Sequence, residues 1–120
     1  NVSEQSDRQG GILDDTLYRR GELFDIDLDM TKGQRLEYLD NIPNHAMTLT
    51  GVDIVDGKIT KWKVENSWGE KVGEKGYFVM SDNWMDNNVF QLIVNKKYLT
   101  DAQRALLDKE PVVLKPWEAL

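Results

Sequence analysis

Residues 44–80 read NHAMTLTGVDIVDGKITKWKVENSWGEKVGEKGYFVM, and the pair Asp56-Gly57 in their middle decides the fold. Asp-Gly between runs rich in Thr, Val and Ile is a strong signal for a two-residue hairpin turn. If the turn closes on those two residues, Val55 opposes Lys58, Leu49 opposes Val64, Met47 opposes Asn66 and His45 opposes Trp68. Alternation with period 2 then puts His45, Met47, Leu49, Trp62, Val64, Asn66 and Trp68 on one face. Thr48, Thr50, Lys61, Lys63 and Glu65 fall on the other. Polarity sorts well at this end and less well near the turn, where Val52, Ile54 and Ile59 lie on the polar face. A bulge beyond Pro43 is compatible with the pattern.

In this register His45, the single histidine, is a diagonal neighbour of Asn66. Diagonal Cα atoms stand roughly 7–8 Å apart, which lets the two side chains meet. A one-residue slip would send them to opposite faces. An Asn carbonyl accepting one ring N–H fixes the tautomer and leaves the other nitrogen for a partner. That is the orienter-and-base pair of nucleophilic catalysis. On geometry alone the pair is equally a structural contact, the commoner use of a lone His beside an Asn.

Away from the hairpin, residues 1–13 are polar and Gly-containing and are expected to be extended or irregular. Residues 14–24 fit a short helix weakened by Gly21. Thr31-Lys32-Gly33-Gln34 has capping-box spacing and opens a helix over 31–41. Pro43 ends that region. Residues 76–80 and 90–94 read as further strands, with SDNWMDNN, residues 81–88, as a polar loop. Thr100-Asp101-Ala102-Gln103 is a second capping box within a helical stretch, 96–110, and the Pro-containing tail, 111–120, is expected to be extended. The organisation is an α+β domain: a lead-in (1–43), a β-rich portion (44–95), a helix (96–110) and a tail.

At 120 residues the chain has room for one core. Its net charge of −6 and its scattered Lys and Arg argue against nucleic acid and anionic membrane as partners. No apolar run approaches the roughly 18 residues of a membrane span. Without cysteine the chain has no disulfide and no thiol nucleophile of its own. Asn1-Val2-Ser3 matches a glycosylation sequon, a pattern too short to carry weight. Asp25, Asp27 and Asp29 alternate like the first ligands of a calcium loop, but Met30 and Leu36 stand where its glycine and bidentate glutamate belong. Gly69, Gly73 and Gly76 lack the Lys-Ser/Thr of a phosphate loop and are read as turn glycines.

The segments NHAMTLTGVD and KVENSWGEKVGEKGYFVM resemble the His and Asn segments of papain-like cysteine peptidases. GQRLEYLDNIPNHAM, MSDNWMDNNVFQLIVNKKYL and PVVLKPWEAL are similar to the bleomycin hydrolase and aminopeptidase C branch of that family. The resemblance implies the β-rich C-terminal half of a papain-like fold, an antiparallel sheet with flanking helices. It implies that His45 is the catalytic histidine, Asn66 the residue that orients it and Trp68 the indole that shields their bond. The family's Cys and its oxyanion-binding Gln lie upstream, so this chain alone is expected to be inactive.

The implied activity is a cytoplasmic cysteine aminopeptidase acting on peptides with a free N-terminus, hexameric when intact and needing no metal or cofactor. In this branch a C-terminal carboxylate holds the substrate amine. That role falls to Leu120 if the protein ends there, although PWEAL is shorter than the family's usual terminus. A binding or assembly module on the same scaffold is the alternative.

Overall fold

The hairpin turn closes where the sequence places it. In the computed structural model, which describes residues 2–117, Asp56 and Gly57 both take positive φ, 50° and 76°. This is the geometry of a turn whose twist matches that of its flanking strands. Strands β3 (Thr48–Val55) and β4 (Lys58–Glu65) run antiparallel from it. The expected register holds at both ends, with Val55 opposite Lys58 and Leu49 opposite Val64. Between them it is shifted by one residue: Lys61 opposes Asp53, Trp62 opposes Val52 and Lys63 opposes Gly51.

Two compensating irregularities produce this, with Thr60 the extra residue on β4 and Thr50 the extra residue on β3. Each threonine hydroxyl bonds across the strands: Thr60 donates to the Asp53 carboxylate at 2.8 Å, and Thr50 to the Lys63 carbonyl at 3.2 Å. The shift exchanges a Lys61–Val52 pairing for Lys61–Asp53, an ion pair at 3.3 Å, and sets Val52 opposite Trp62. At these two pairs charge meets charge and apolar meets apolar, while Ile54 still opposes Ile59 and both stay exposed.

Strand β5 (Tyr77–Ser81) pairs antiparallel with β4, placing Phe78 beside Val64 and Met80 beside Trp62. The lead-in supplies two further short strands, β1 (Ser6–Asp7) and β2 (Ile12–Leu13). The order across the sheet is β1-β2-β5-β4-β3, and β2 runs parallel to β5. The first residues are therefore part of the sheet rather than irregular, and the sheet is mixed rather than wholly antiparallel. Two-residue strands carry too little periodicity to be seen in sequence.

Gly11 and Gly73 lock this corner. Both have positive φ, and a Cβ on Gly11 would lie 2.7 Å from the Gly73 Cα, while one on Gly73 would fall on the Tyr77 carbonyl oxygen.

Residues 81–88 form a helix, α3 (Asp82–Asn88), instead of a loop. Ser81 caps it by accepting from the Trp84 amide, and Asp82 sits in its first turn, where negative charge is favoured. Trp84 fills the core with Leu13, Val64, Phe78 and Met80, all at most 1% exposed. Its indole N–H donates to the Glu4 carbonyl at 3.1 Å.

The helix expected over 14–24 shrinks to Arg20–Phe24, because the Asp14 carboxylate accepts from both the amide and the hydroxyl of Thr16 and bends the chain into an Asx-turn. The helix expected over 31–41 is Lys32–Glu37 with its capping box formed, and it stops before Leu39, whose φ is 57°. Residues 90–94 make no strand: their apolar pattern finds no ladder partner among the described residues, and Ile93 is fully exposed. The stretch 96–110 contains a single 3-10 turn, Lys96–Tyr98, and a short helix, Asp101–Leu106, whose capping box is formed as expected. Among the described residues no helix is long and apolar enough to cross a membrane.

Two outcomes follow from this geometry. Gly73→Ala forces a Cβ into a left-handed residue facing a carbonyl and lowers unfolding free energy by about 2 kcal/mol or more, read by urea denaturation. The Thr16 hydroxyl, donating to Asp14, holds that carboxyl below its ordinary range. A lowered folded-state pKa stabilises above the unfolded value and loses that contribution as pH falls through the folded one. Thr16→Val therefore costs stability at pH 7, and its deficit shrinks as pH falls below the ordinary carboxyl value of about 4 and through the lower folded-state one, vanishing once Asp14 is protonated in both states.

Candidate active site

His45 and Asn66 lie at the open end of the hairpin, His45 three residues before β3 begins and Asn66 directly after β4 ends. His45 Nε2 and Asn66 Oδ1 are 2.8 Å apart. The same Oδ1 accepts the Ser67 backbone N–H at 2.8 Å, which identifies that atom of the amide as its oxygen. An oxygen acceptor requires Nε2 to carry the hydrogen. The neutral ring therefore holds its proton on Nε2 and presents Nδ1, which makes no hydrogen bond among the described residues, as its basic nitrogen.

Trp68 stacks on the imidazole, with ring centroids 4.8 Å apart and planes inclined by 26°. Phe78, from the core, meets Trp68 edge to face at 5.7 Å. The three residues picked out in sequence, His45, Asn66 and Trp68, are thus brought together. Asn66 Nδ2 is buried and has no partner among the described residues. The Asn66 backbone is tied by its N–H to the Gly76 carbonyl at 3.0 Å, and Gly76, buried with φ of 86°, closes the loop of residues 67–75 back onto the strand. Leu120 lies outside the described residues.

Sequence reasoning missed the side chains that hold the approach to His45, which belongs to no ladder. Fully buried Asn41 donates to Asn88 Oδ1 at 2.7 Å, and Asn88 donates to Asp15 at 2.9 Å. Asn44 accepts the Val2 N–H and donates to the Ser3 hydroxyl, both at 3.1 Å. Asparagines in a polar stretch carry no periodic signal, so the burial of Asn41 and Asn88 is not legible in sequence. A groove of about 550 Å³ is lined by His45 together with Met47, Leu49, Trp84, Phe90 and Leu92, and its lining is mostly apolar, with Thr48, Asn88 and Gln91 as further polar members. Among the described residues no group of three or more His, Cys, Asp or Glu is placed to hold a metal ion.

A family model described as the Peptidase C1-like family matches residues 1–120. The chain belongs to that family. Within this Peptidase C1-like family it is 50% identical to aminopeptidase C of Lactobacillus helveticus and 52% identical to aminopeptidase G of Lactobacillus delbrueckii subsp. lactis. All of this chain aligns, covering 27% and 28% of those proteins respectively. The fold superposes on a crystal structure of PepW from Lactobacillus rhamnosis HN001 with a TM-score of 0.92 at 54% identity, covering 99% of this chain and 27% of that one. The α+β fold is therefore papain-like, as the resemblance implied. The chain spans about a quarter of the length of the relatives it matches.

The tautomer assignment is open to direct measurement, since the spectrum contains one histidine. At alkaline pH, ¹⁵N NMR should show a protonated Nε2 and an unprotonated Nδ1, and Asn66→Ala should mix the two tautomers. A protonated Nδ1 in the parent chain would contradict the geometry.

Proposed function

We propose that the chain is the C-terminal, His/Asn-bearing portion of a cysteine aminopeptidase, with His45 as its general base and acid, Asn66 as the group that orients it and Trp68 as the cover of their bond. The observation that carries this reading is the Nε2–Oδ1 bond, which commits the ring to one tautomer and turns Nδ1 outward. The chain contains no cysteine, so the nucleophile comes from the remainder of the protein and the 120 residues alone are inactive.

In the intact enzyme Nδ1 takes the thiol proton, giving a thiolate–imidazolium pair. The thiolate attacks the carbonyl carbon of the substrate's first peptide bond. As the C–N bond breaks, Nδ1–H passes its proton to the leaving amine, and a thioester remains. Nδ1 then deprotonates water, which attacks the thioester, releasing the N-terminal amino acid and returning the proton to the thiol. Asn66 accepts from Nε2–H throughout, so the ring can gain and lose a proton at Nδ1 without turning.

The names of the relatives, aminopeptidases C and G, support peptides with a free N-terminus as substrates. Holding that ammonium needs an anion, and the resemblance assigns it to a C-terminal carboxylate, Leu120 if the protein ends there. The resemblance to the bleomycin hydrolase branch likewise supports a cytoplasmic, hexameric parent. Within the chain we take residues 44–95 as the part that carries the catalytic pair. The many exposed apolar side chains, among them Leu92, Ile93 and Val112, support a chain whose surface is completed by the Cys-bearing portion.

The decisive experiment is His45→Ala in the full-length enzyme. The expected result is loss of kcat/KM by roughly a thousandfold or more with the fold intact by circular dichroism. Turnover near that of the parent enzyme would sink the assignment.

A further inference from the structure

Arg8 is a residue that neither the sequence motifs nor the reaction above employs. It stands on the turn between β1 and β2, and its guanidinium carbon lies 4.1 Å from the centroid of the Trp68 ring. The side chain is exposed and makes no ion pair among the described residues, so the indole is what gives it a fixed place. The turn that carries it is well tied. The Asp7 carboxylate accepts from the Gln9 and Gly10 amides at 3.1 and 2.9 Å, and the Asp7 carbonyl accepts from Gly11 at 2.9 Å. Gly11 then packs backbone to backbone against Gly73, in the loop that Trp68 opens. Arg8 and Trp68 are thus held on two loops locked to each other.

We infer that Arg8 is a positioning residue for the peptidase reaction, acting through Trp68 to hold the His45 ring against Asn66. The inference rests on the catalytic reading of His45. A single hydrogen bond from Nε2 to Asn66 fixes one direction of the imidazole but leaves the ring free to swing about that bond, carrying Nδ1 with it. A plane lying against the ring removes the swing, and Trp68, inclined by 26°, supplies it. The indole in turn must be kept from tilting. Phe78 meets it edge to face, and the Arg8 cation is drawn to its π-system. Loss of Arg8 loosens the indole, and the cost appears at Nδ1, where protons move, rather than in substrate binding.

The test uses the full-length enzyme with an aminoacyl 7-amido-4-methylcoumarin substrate, comparing Arg8→Ala, Arg8→Lys and His45→Ala. Arg8→Ala should lower kcat roughly two- to fivefold, the size an exposed cation–π contact sustains, with KM and the thermal midpoint unchanged. Arg8→Lys, which keeps the cation, should recover most of the loss. Parent-like kcat in Arg8→Ala overturns the inference. A rise in KM at constant kcat also overturns it, because that is the mark of a group touching substrate. So does a loss that Arg8→Lys fails to recover. If His45→Ala is dead and Arg8→Ala is parent-like, the role of Arg8 alone fails; if His45→Ala retains turnover, the catalytic reading fails and takes the inference with it.

Discussion

The register of one hairpin governs everything else in this chain, and that register is kept by two irregularities that cancel. A single bulge at Thr60 would have carried the shift to the open end and moved Asn66 by one residue relative to β3. Because side chains alternate with period 2, the amide would then face away from His45. The second extra residue, Thr50, restores the pairing of Leu49 with Val64 before the strands part. Both threonines bond across the ladder with their hydroxyls, which replaces part of the backbone pairing that a bulge forfeits. The middle of the hairpin thereby gains a charge pair and an apolar pair while its far end keeps the site.

At that end two segments leave the sheet, one before β3 and one after β4. Asn66 is held by the main chain, through the Gly76 carbonyl and a loop whose glycines take conformations other residues resist. His45 is held differently. The residues before it form no ladder, and buried asparagine amides do the work that backbone pairing does elsewhere. A buried amide bond is directional, so the Asn41 Nδ2 bond to Asn88 Oδ1 guides the chain into His45, while Asn41 Oδ1 stays buried without a partner among the described residues. His45 and Asn66 are therefore fixed by unlike means, and both are tied to the same core, since α3 brings Trp84 into it and Asn88 to Asn41.

How far the sequence could be read depended on whether a feature was local. Asp56-Gly57, the capping boxes at Thr31 and Thr100, and the His45–Asn66 spacing were legible because each rests on residues a few positions apart or on one constant register. The bulges were hinted at by the misplaced Val52 and Ile54 but could not be located without the cross-strand hydroxyl bonds. A loop reading of 81–88 gives weight to six polar residues among eight and too little to Ser81 as a cap. Residues 90–94 failed in the opposite sense: an apolar pattern suited to a strand is not a strand without a neighbour. Arg8 was illegible altogether, because nothing in sequence connects the β1–β2 turn to an indole in a distant loop.

The same distinction bears on what the chain can do. Its described core is five residues with Trp84 at the centre, while Phe24, Ile93, Val112 and Val113 lie largely open to solvent. Burying a large apolar side chain contributes about 1.5–3 kcal/mol, so so many left exposed represent stabilisation that this part of the molecule does not realise within itself. Around His45 more is in place: the imidazole has an accepting oxygen, one tautomer and the Trp68 ring against it, although the buried Asn66 Nδ2 has no partner among the described residues. On the proposed reading, an ordered imidazole beside an uncovered apolar surface is what a peptidase divided across two portions would leave, with the base held here and the thiol carried by the other portion. Preorganisation of the base half has a physical purpose in that arrangement. A ring bonded at Nε2 and backed by the Trp68 plane has less rotational freedom to lose when a thiol arrives, so docking of the nucleophile need supply little beyond its own placement.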